Sequence, residues 1–285
     1  MKKNLSLVQS HNWVTFLLAK LYLRKDDRHY AYLLYSYLRM LDDFVDEKNR
    51  SEEEKINFIS RQRRAIKTLY KNCKIDSNGL IVRIIEYDCG HRCKLESFIF
   101  CMLQIFQFDT KRKNRVVSLK ELKHYSINLG NAYTQLLLYF VEPKYKYQEE
   151  DSLLAHACHQ AHMLRDFNID QKLGYINISK EEIAQYNIRL NQTPDENFQK
   201  WLKDKIEIIK DYFKKGKTKV NKNPIFRIKI IGHLYCFRYE TVLRQIEDDG
   251  YQLKDKYSMR LQDKVRLILL LISVLIKHLW QKIKI

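Results

Sequence analysis

Two stretches of this chain set aspartates four residues apart with an arginine beside them. The first is Arg39-Met40-Leu41-Asp42-Asp43-Phe44-Val45-Asp46, and the second is Arg165-Asp166-Phe167-Asn168-Ile169-Asp170. Both read as helix, and residues four apart on a helix project from nearly the same side, one turn above the other. Each segment therefore offers two carboxylates to one point in space. Hard oxygen ligands of this kind suit Mg2+, which keeps some of its waters and takes phosphate oxygens as further ligands. The neighbouring arginines suit the grip of phosphate oxygens. Carboxylates in an otherwise apolar run, such as Ala31 to Val45, call for nearby cations, because burying them uncompensated costs several kcal/mol. The chemistry implied is metal-assisted ionisation of a diphosphate ester, with charge on the leaving group stabilised by metal.

The elements that would position these groups are helical. The chain has 285 residues with only 3 Pro and 7 Gly, so punctuation is sparse and long periodic stretches dominate. Helices are predicted over roughly 11–23, 26–48, 52–72, 78–87, 91–108, 119–141, 149–171, 180–186, 196–214, 224–249 and 260–282. Glu52, Glu53 and Glu54 favour a helix start by dipole complementarity. Gly250 is suited to a left-handed helix stop. Lys111–Arg115 and Lys214–Lys222 read as basic linkers. No domain boundary is visible, and residues 1–285 are expected to form a single domain, since the two acidic segments make sense only together.

The formal net charge is +18, but the lysines are spread along the chain and no nucleic-acid-binding motif is present, so no nucleic acid partner is expected. Six scattered cysteines without secretory context predict reduced thiols and a cytoplasmic location. No apolar run reaches the length of a membrane span. Leu267–Ile276, nearly all apolar and flanked by Lys264, Arg266, Lys277 and Trp280, suits either packing on the bundle or peripheral contact with a membrane.

The segments resemble the squalene/phytoene synthases, which join two allylic diphosphates head to head. Thr15-Phe16, Arg28 and Tyr35 to Asp46 keep the spacing of that family's first region. Leu164 to Asp170, followed by Gly174-Tyr175-Ile176-Asn177-Ile178, is similar to its second. Tyr239 to Glu247, with Gly250-Tyr251, is similar to its C-terminal signature. The resemblance implies an all-α, isoprenoid-synthase-type bundle around a central apolar cavity. It implies that Asp42, Asp46, Asp166 and Asp170 bind Mg2+, with Mn2+ as a substitute. Arg39 and Arg165 would hold diphosphate, and Tyr125 would act near the reacting carbons. Thr15, Phe16, Tyr35, His159, His162, Tyr239, Lys256 and Lys264 would bind the substrate, a prenyl diphosphate.

By the same resemblance, one substrate ionises, the other attacks its C1, and proton loss closes a cyclopropane. A second ionisation then gives phytoene or dehydrosqualene, or squalene if NADPH supplies hydride. The chain departs from the family in places. His159 and His162 stand where Gln and Asn are usual, His124 stands where a tyrosine is usual with Tyr125 beside it, and Tyr133 follows Gly130 where small residues are usual. A relative that ionises a single prenyl diphosphate, and a retired member acting as a binding factor, are the alternatives to head-to-head coupling.

Overall fold

The computed structural model describes residues 23–72, 79–190 and 194–283. Among them every regular element is a helix, as the scarcity of Pro and Gly predicts. Thr15, Phe16 and the helix expected over 11–23 lie outside the described residues. The helices are α1 (Lys25–Asp46), α2 (Glu52–Asn72), α3 (Leu80–His91), α4 (Leu95–Arg112), α5 (Leu119–Val141), α6 (Leu153–Arg165), α7 (Phe167–Lys172), α8 (Lys180–Tyr186), α9 (Glu196–Lys222), α10 (Phe226–Asp248) and α11 (Leu261–Ile283). A short 3-10 turn, Glu149–Ser152, precedes α6. None of the described helices is long and apolar enough to cross a membrane.

The chain divides into two compact units. One comprises residues 1–111 and 132–147, and the other residues 112–131 and 148–285. In the first, α1 buries Leu33, Leu34, Tyr37, Leu41 and Val45, a stripe at helical spacing that leaves Arg39, Asp43 and Asp46 toward solvent. The Tyr37 hydroxyl donates to Gln62 Oε1 of α2 at 2.9 Å. Asp88 is fully buried and accepts from the Lys94 and Leu95 amides at 3.0 and 2.8 Å, capping α4, and from the Tyr70 and Tyr139 hydroxyls at 3.0 and 2.8 Å. Every lone pair of that carboxylate is thereby used, which fixes the α3–α4 corner. Cys89 stands in a disulfide, a correction to the expectation of six reduced thiols. Cys93, Cys101, Cys158 and Cys236 are not in disulfides. Cysteine proximity is a tertiary property, so spacing could not supply it.

The second unit is built around α6. Its small residues Ala157, Cys158 and Ala161 are fully buried and let α9 and α10 approach closely. Trp201, Ile206, Ile209 and Phe213 of α9, with Cys236, Leu243 and Ile246 of α10, complete this core. Two glycines set the closest approaches. A Cβ on Gly130 of α5 would lie 2.9 Å from the His156 amide nitrogen, and one on Gly216 of α9 would lie 2.8 Å from that of Leu154.

Several boundaries differ from the sequence reading. α9 runs through to Lys222, although 214–222 read as linker, because Gly216 is buried and Val220 packs on the core. α4 likewise continues to Arg112, which is only 5% exposed. The helix expected over 149–171 is interrupted at Asp166, whose φ of −99° and ψ of 7° separate α6 from α7. Gly250 does stop α10, at φ +67°, with the Tyr251 amide donating back to Ile246 O at 2.8 Å.

Gly130→Ala and Gly216→Ala are expected to destabilise the protein by about 1–3 kcal/mol each, since the new methyl meets backbone rather than a movable side chain. Gly90→Ala is the control. Nothing lies within 4 Å of a Cβ there, so helix propensity should stabilise by roughly 0.5–1 kcal/mol. Urea unfolding midpoints check both signs.

Candidate active site

Each unit carries one acidic pair, with its own electrostatic environment. In the first, Asp42 and Asp46 lie one turn apart on the last turns of α1. Arg39 Nη1 reaches Asp42 Oδ2 at 3.1 Å, and its Nη2 reaches Asp43 Oδ1 at 2.7 Å. Tyr35 lies one turn before Arg39, and burial raises its pKa despite the guanidinium nearby. Asp46 and Asp43 are exposed, so this motif sits at the edge of the apolar run rather than within it. Asp42 is pushed up to about 6, first by burial and then by the charges of Asp46, Asp109 and Asp43, which outweigh Arg39. The rise despite a nearby arginine thus reflects burial first and the neighbouring carboxylates second.

The second pair is held differently. Asp166 sits at the α6–α7 break and is gripped by Arg165 through two hydrogen bonds, Nε to Oδ1 at 2.7 Å and Nη2 to Oδ2 at 2.6 Å. His162 Nε2 adds a contact to Oδ2 at 2.7 Å from one turn earlier. Burial alone would raise Asp166, but the hydrogen bonds from Arg165 and His162 hold its carboxyl well below the usual range. Asp170 is raised to about 6 by burial, with the Asp166 charge adding, although Asn177 Nδ2 donates to its Oδ2 at 2.6 Å. The backbone bond from the Asp170 amide to Asp166 O, 2.8 Å, preserves the one-turn spacing across the break.

Around this second pair the structure gathers most of the residues the sequence singled out in that unit. The Tyr239 ring lies 5.9 Å from His162, and the Arg165 guanidinium lies 5.8 Å from the Tyr239 ring. His159 faces His162 at 6.4 Å and meets Tyr125 edge-on at 5.1 Å. Its Nδ1 contacts Ser126 Oγ at 3.0 Å. Burial, then the charges of His162 and Arg112, depress its pKa well below the usual value, so the ring is neutral at physiological pH. Lys256 and Lys264 are exposed and make none of these contacts.

Sequence reasoning missed Arg112, which it assigned to a linker. This side chain stacks over Tyr125 at 4.9 Å and over Tyr175 at 5.0 Å, and its Nη1 donates to Asn177 Oδ1 at 3.0 Å. Asn177 passes the link to Asp170, so a buried guanidinium orients the second carboxylate through one amide. The aromatic residues at 125 and 175 were visible in the sequence, but their convergence on one arginine is not a periodic signal. Asp109, which adds charge to Asp42, was missed for the same reason.

The donor set fits Mg2+. All four aspartate carboxylates are hard oxygen ligands, and two of them have pKa values raised by burial first and by neighbouring carboxylates second, a repulsion that a divalent cation would relieve. Among the described residues no three His, Cys, Asp or Glu side chains converge as a ready-made metal cage. Paired carboxylates that leave the remaining positions to phosphate oxygens and water are the arrangement Mg2+ favours.

Comparison with known families matches residues 11–267 to the model described as squalene/phytoene synthase. Among solved structures, a dehydrosqualene synthase in complex with ligand superposes with a TM-score of 0.76 at 18% identity, covering 96% of this chain and 95% of that one. Squalene synthase HpnC from Alicyclobacillus acidocaldarius gives a TM-score of 0.71 at 15% identity, covering 89% of this chain and 95% of that one. These structural likenesses bear on the all-α fold. Comparison with curated proteins finds no match.

The raised Asp170 carboxyl has a measurable consequence. A carboxyl whose folded pKa exceeds its unfolded value contributes stability that is present below about pH 4 and lost as pH rises through about 6. Asp170→Asn should therefore flatten that part of the stability profile. At pH 7 the variant should be more stable than the parent by about 1–3 kcal/mol, the gap closing toward pH 4. Chemical unfolding at a series of pH values reads this directly.

Proposed function

Because this chain belongs to the squalene/phytoene synthase family of prenyltransferases, we propose that it joins two allylic prenyl diphosphates head to head. The observation that carries the reading is the recurrence of an Asp-x-x-x-Asp pair beside an arginine, once in each unit, within a family match that spans both. In this reading residues 1–285 act as one catalytic domain on farnesyl or geranylgeranyl diphosphate. The two structural neighbours, a dehydrosqualene synthase and a squalene synthase, support that reading.

Asp42 and Asp46, and Asp166 with Asp170, would hold Mg2+ (Mn2+ as a substitute), whose chemistry is neutralisation of the departing diphosphate. Arg39 and Arg165 would each offer a guanidinium group to phosphate oxygens beside the acidic pair of its own unit. Each is now engaged with an aspartate of its own segment, so binding substrate exchanges one anionic partner for another. His162 donates to Asp166 and in this reading also serves phosphate, and the Tyr239 ring lies beside Arg165. Coupling forms a C–C bond at C1 of the ionised substrate, expels diphosphate and closes a cyclopropane with loss of a proton. Tyr125, set between Arg112 and neutral His159, is the group of this set suited to relay that proton. A second ionisation expels the other diphosphate. Proton loss then gives phytoene or dehydrosqualene, and hydride from NADPH gives squalene. Lys256 and Lys264 have only their place in the motif order as support. Thr15 and Phe16 keep their proposed substrate-binding role on the same ground. The product is wholly apolar, which favours peripheral contact with a membrane.

The test is product analysis with Mg2+ and labelled farnesyl or geranylgeranyl diphosphate, with and without NADPH. A hydrocarbon of doubled carbon number is expected. Asp42→Ala and Asp166→Ala should each lower its formation by at least about a hundredfold, equivalent to roughly 2.7 kcal/mol in the barrier. Single-prenyl products would transfer the assignment to ionisation of one substrate. Absence of turnover together with retained binding of a diphosphate analogue would make the protein a retired, binding member of the family.

A further inference from the structure

The last helix presents an exposed apolar face among the described residues. Nine large apolar side chains of α11, Leu261, Val265, Ile268, Leu269, Ile272, Leu275, Ile276, Leu279 and Trp280, are each between 45% and 77% exposed. They follow one another at three- and four-residue steps, so they form one stripe. At about 100° per residue this stripe spans roughly 140° of the helix circumference. The opposite face fixes the helix in place. Asp263 is 3% exposed and accepts from Gln245 Nε2 at 3.2 Å and from the Arg260 amide at 2.9 Å, and His278 stacks on Phe226 at 4.5 Å. Val274 is buried on the same side. The exposed stripe is thus an outcome of how the helix is anchored, and a continuous patch of this extent on a soluble surface marks an interaction site.

Charge selects the occupant. By the same helical geometry Lys264 borders the stripe on one side, and Arg266 and Lys277 border it on the other, and all three are exposed. Cations along both margins of an apolar band, with a Trp near its end, are arranged as in a helix lying in a lipid interface, where ammonium and guanidinium groups meet anionic headgroups. A second copy would bring the same cations against these, which disfavours self-association through this face. Beside the C-terminal half of the stripe, an open cavity of about 350 Å3 is lined by Lys229, Lys277 and Asn221 together with Ile276 and Trp280. Two ammonium groups next to apolar walls suit one phosphate headgroup and the first methylenes below it. None of the residues assigned to diphosphate or metal lines this cavity.

We propose that α11 docks the protein on an anionic lipid surface, its exposed stripe entering the headgroup–acyl boundary and the Lys229–Lys277 cavity receiving a lipid phosphate. The inference deepens the membrane contact suggested above but rests on α11 alone and does not depend on the reaction. The full chain is tested by co-sedimentation with phosphatidylcholine vesicles, with and without phosphatidylglycerol. Tryptophan emission is followed in parallel and compared with Trp280→Phe to isolate that ring.

Strong partitioning to the anionic vesicles is expected, weakened by salt and accompanied by a blue shift belonging to Trp280. The double variant Ile268→Glu/Ile272→Glu changes only half-exposed positions and should lower partitioning by about tenfold or more, with circular dichroism and thermal midpoint unchanged. Arg266→Glu/Lys277→Glu should remove the preference for anionic lipid. Equal partitioning of the parent and the Ile268→Glu/Ile272→Glu variant, or no partitioning by either, would overturn the proposal. Concentration-dependent dimerisation abolished by that variant, without vesicle binding, would overturn it in favour of a second copy. A failed product assay leaves these readouts intact, so the two proposals fail separately.

Discussion

Carboxylates placed one helical turn apart repel each other, and the local structure around both acidic segments follows from how that repulsion is offset. In water the energy is small, but in the partly desolvated rim of a helical core it grows severalfold. At Asp42 and Asp170 burial first, and the neighbouring carboxylate after it, raise the pKa to about 6. Asp166 answers with a bidentate arginine and a histidine. Arg39 divides itself between Asp42 and Asp43 and leaves the surplus charge only partly matched. A cation bound at either pair would remove a cost the fold already bears. The same argument makes paired carboxylates poor structural elements, since apolar residues in their place would stabilise the helices at no electrostatic cost.

The two pairs also differ in how rigidly they are set. Asp42 and Asp46 belong to the final turns of a long helix, Asp42 half-buried and Asp46 exposed. The second pair is supported from beneath by Arg112, Asn177 and the rings of Tyr125 and Tyr175. That support depends on α6 lying close to its neighbours. Gly130 and Gly216 permit the approach, and Ala157, Cys158 and Ala161 keep the buried face narrow. His159 and His162 then fall among Tyr125, Tyr239 and Arg165, in surroundings that keep His159 neutral. The histidines that replace the usual amides are therefore integrated into a polar cluster of that unit, with one donating to Asp166 and the other contacting Ser126.

The stripe on α11 shows the limit of reading helices by composition alone. Packing on the bundle and lying on a membrane require the same apolar run. What separates them is which face is anchored, and this is set by Asp263 and His278, polar residues that a hydropathy count treats as interruptions.

By itself the sequence determined the helical class, the family and the two acidic pairs, because each is written in local spacing. A four-residue step places Asp42 under Asp46 wherever the helix lies, and the order of three motifs survives any detail of packing. Gly250 ended α10 as its freedom at positive φ implies. Tertiary structure decided the rest, because those features depend on what approaches from elsewhere in the chain. Residues 214–222 are helical because Gly216 and Val220 meet a core that their lysines conceal. Arg112 supports Asp170 because Asn177 lies between them. The break at Asp166 and the disulfide of Cys89 follow the same rule. A local pattern fixes which side chains share a face, but only long-range packing fixes what that face meets.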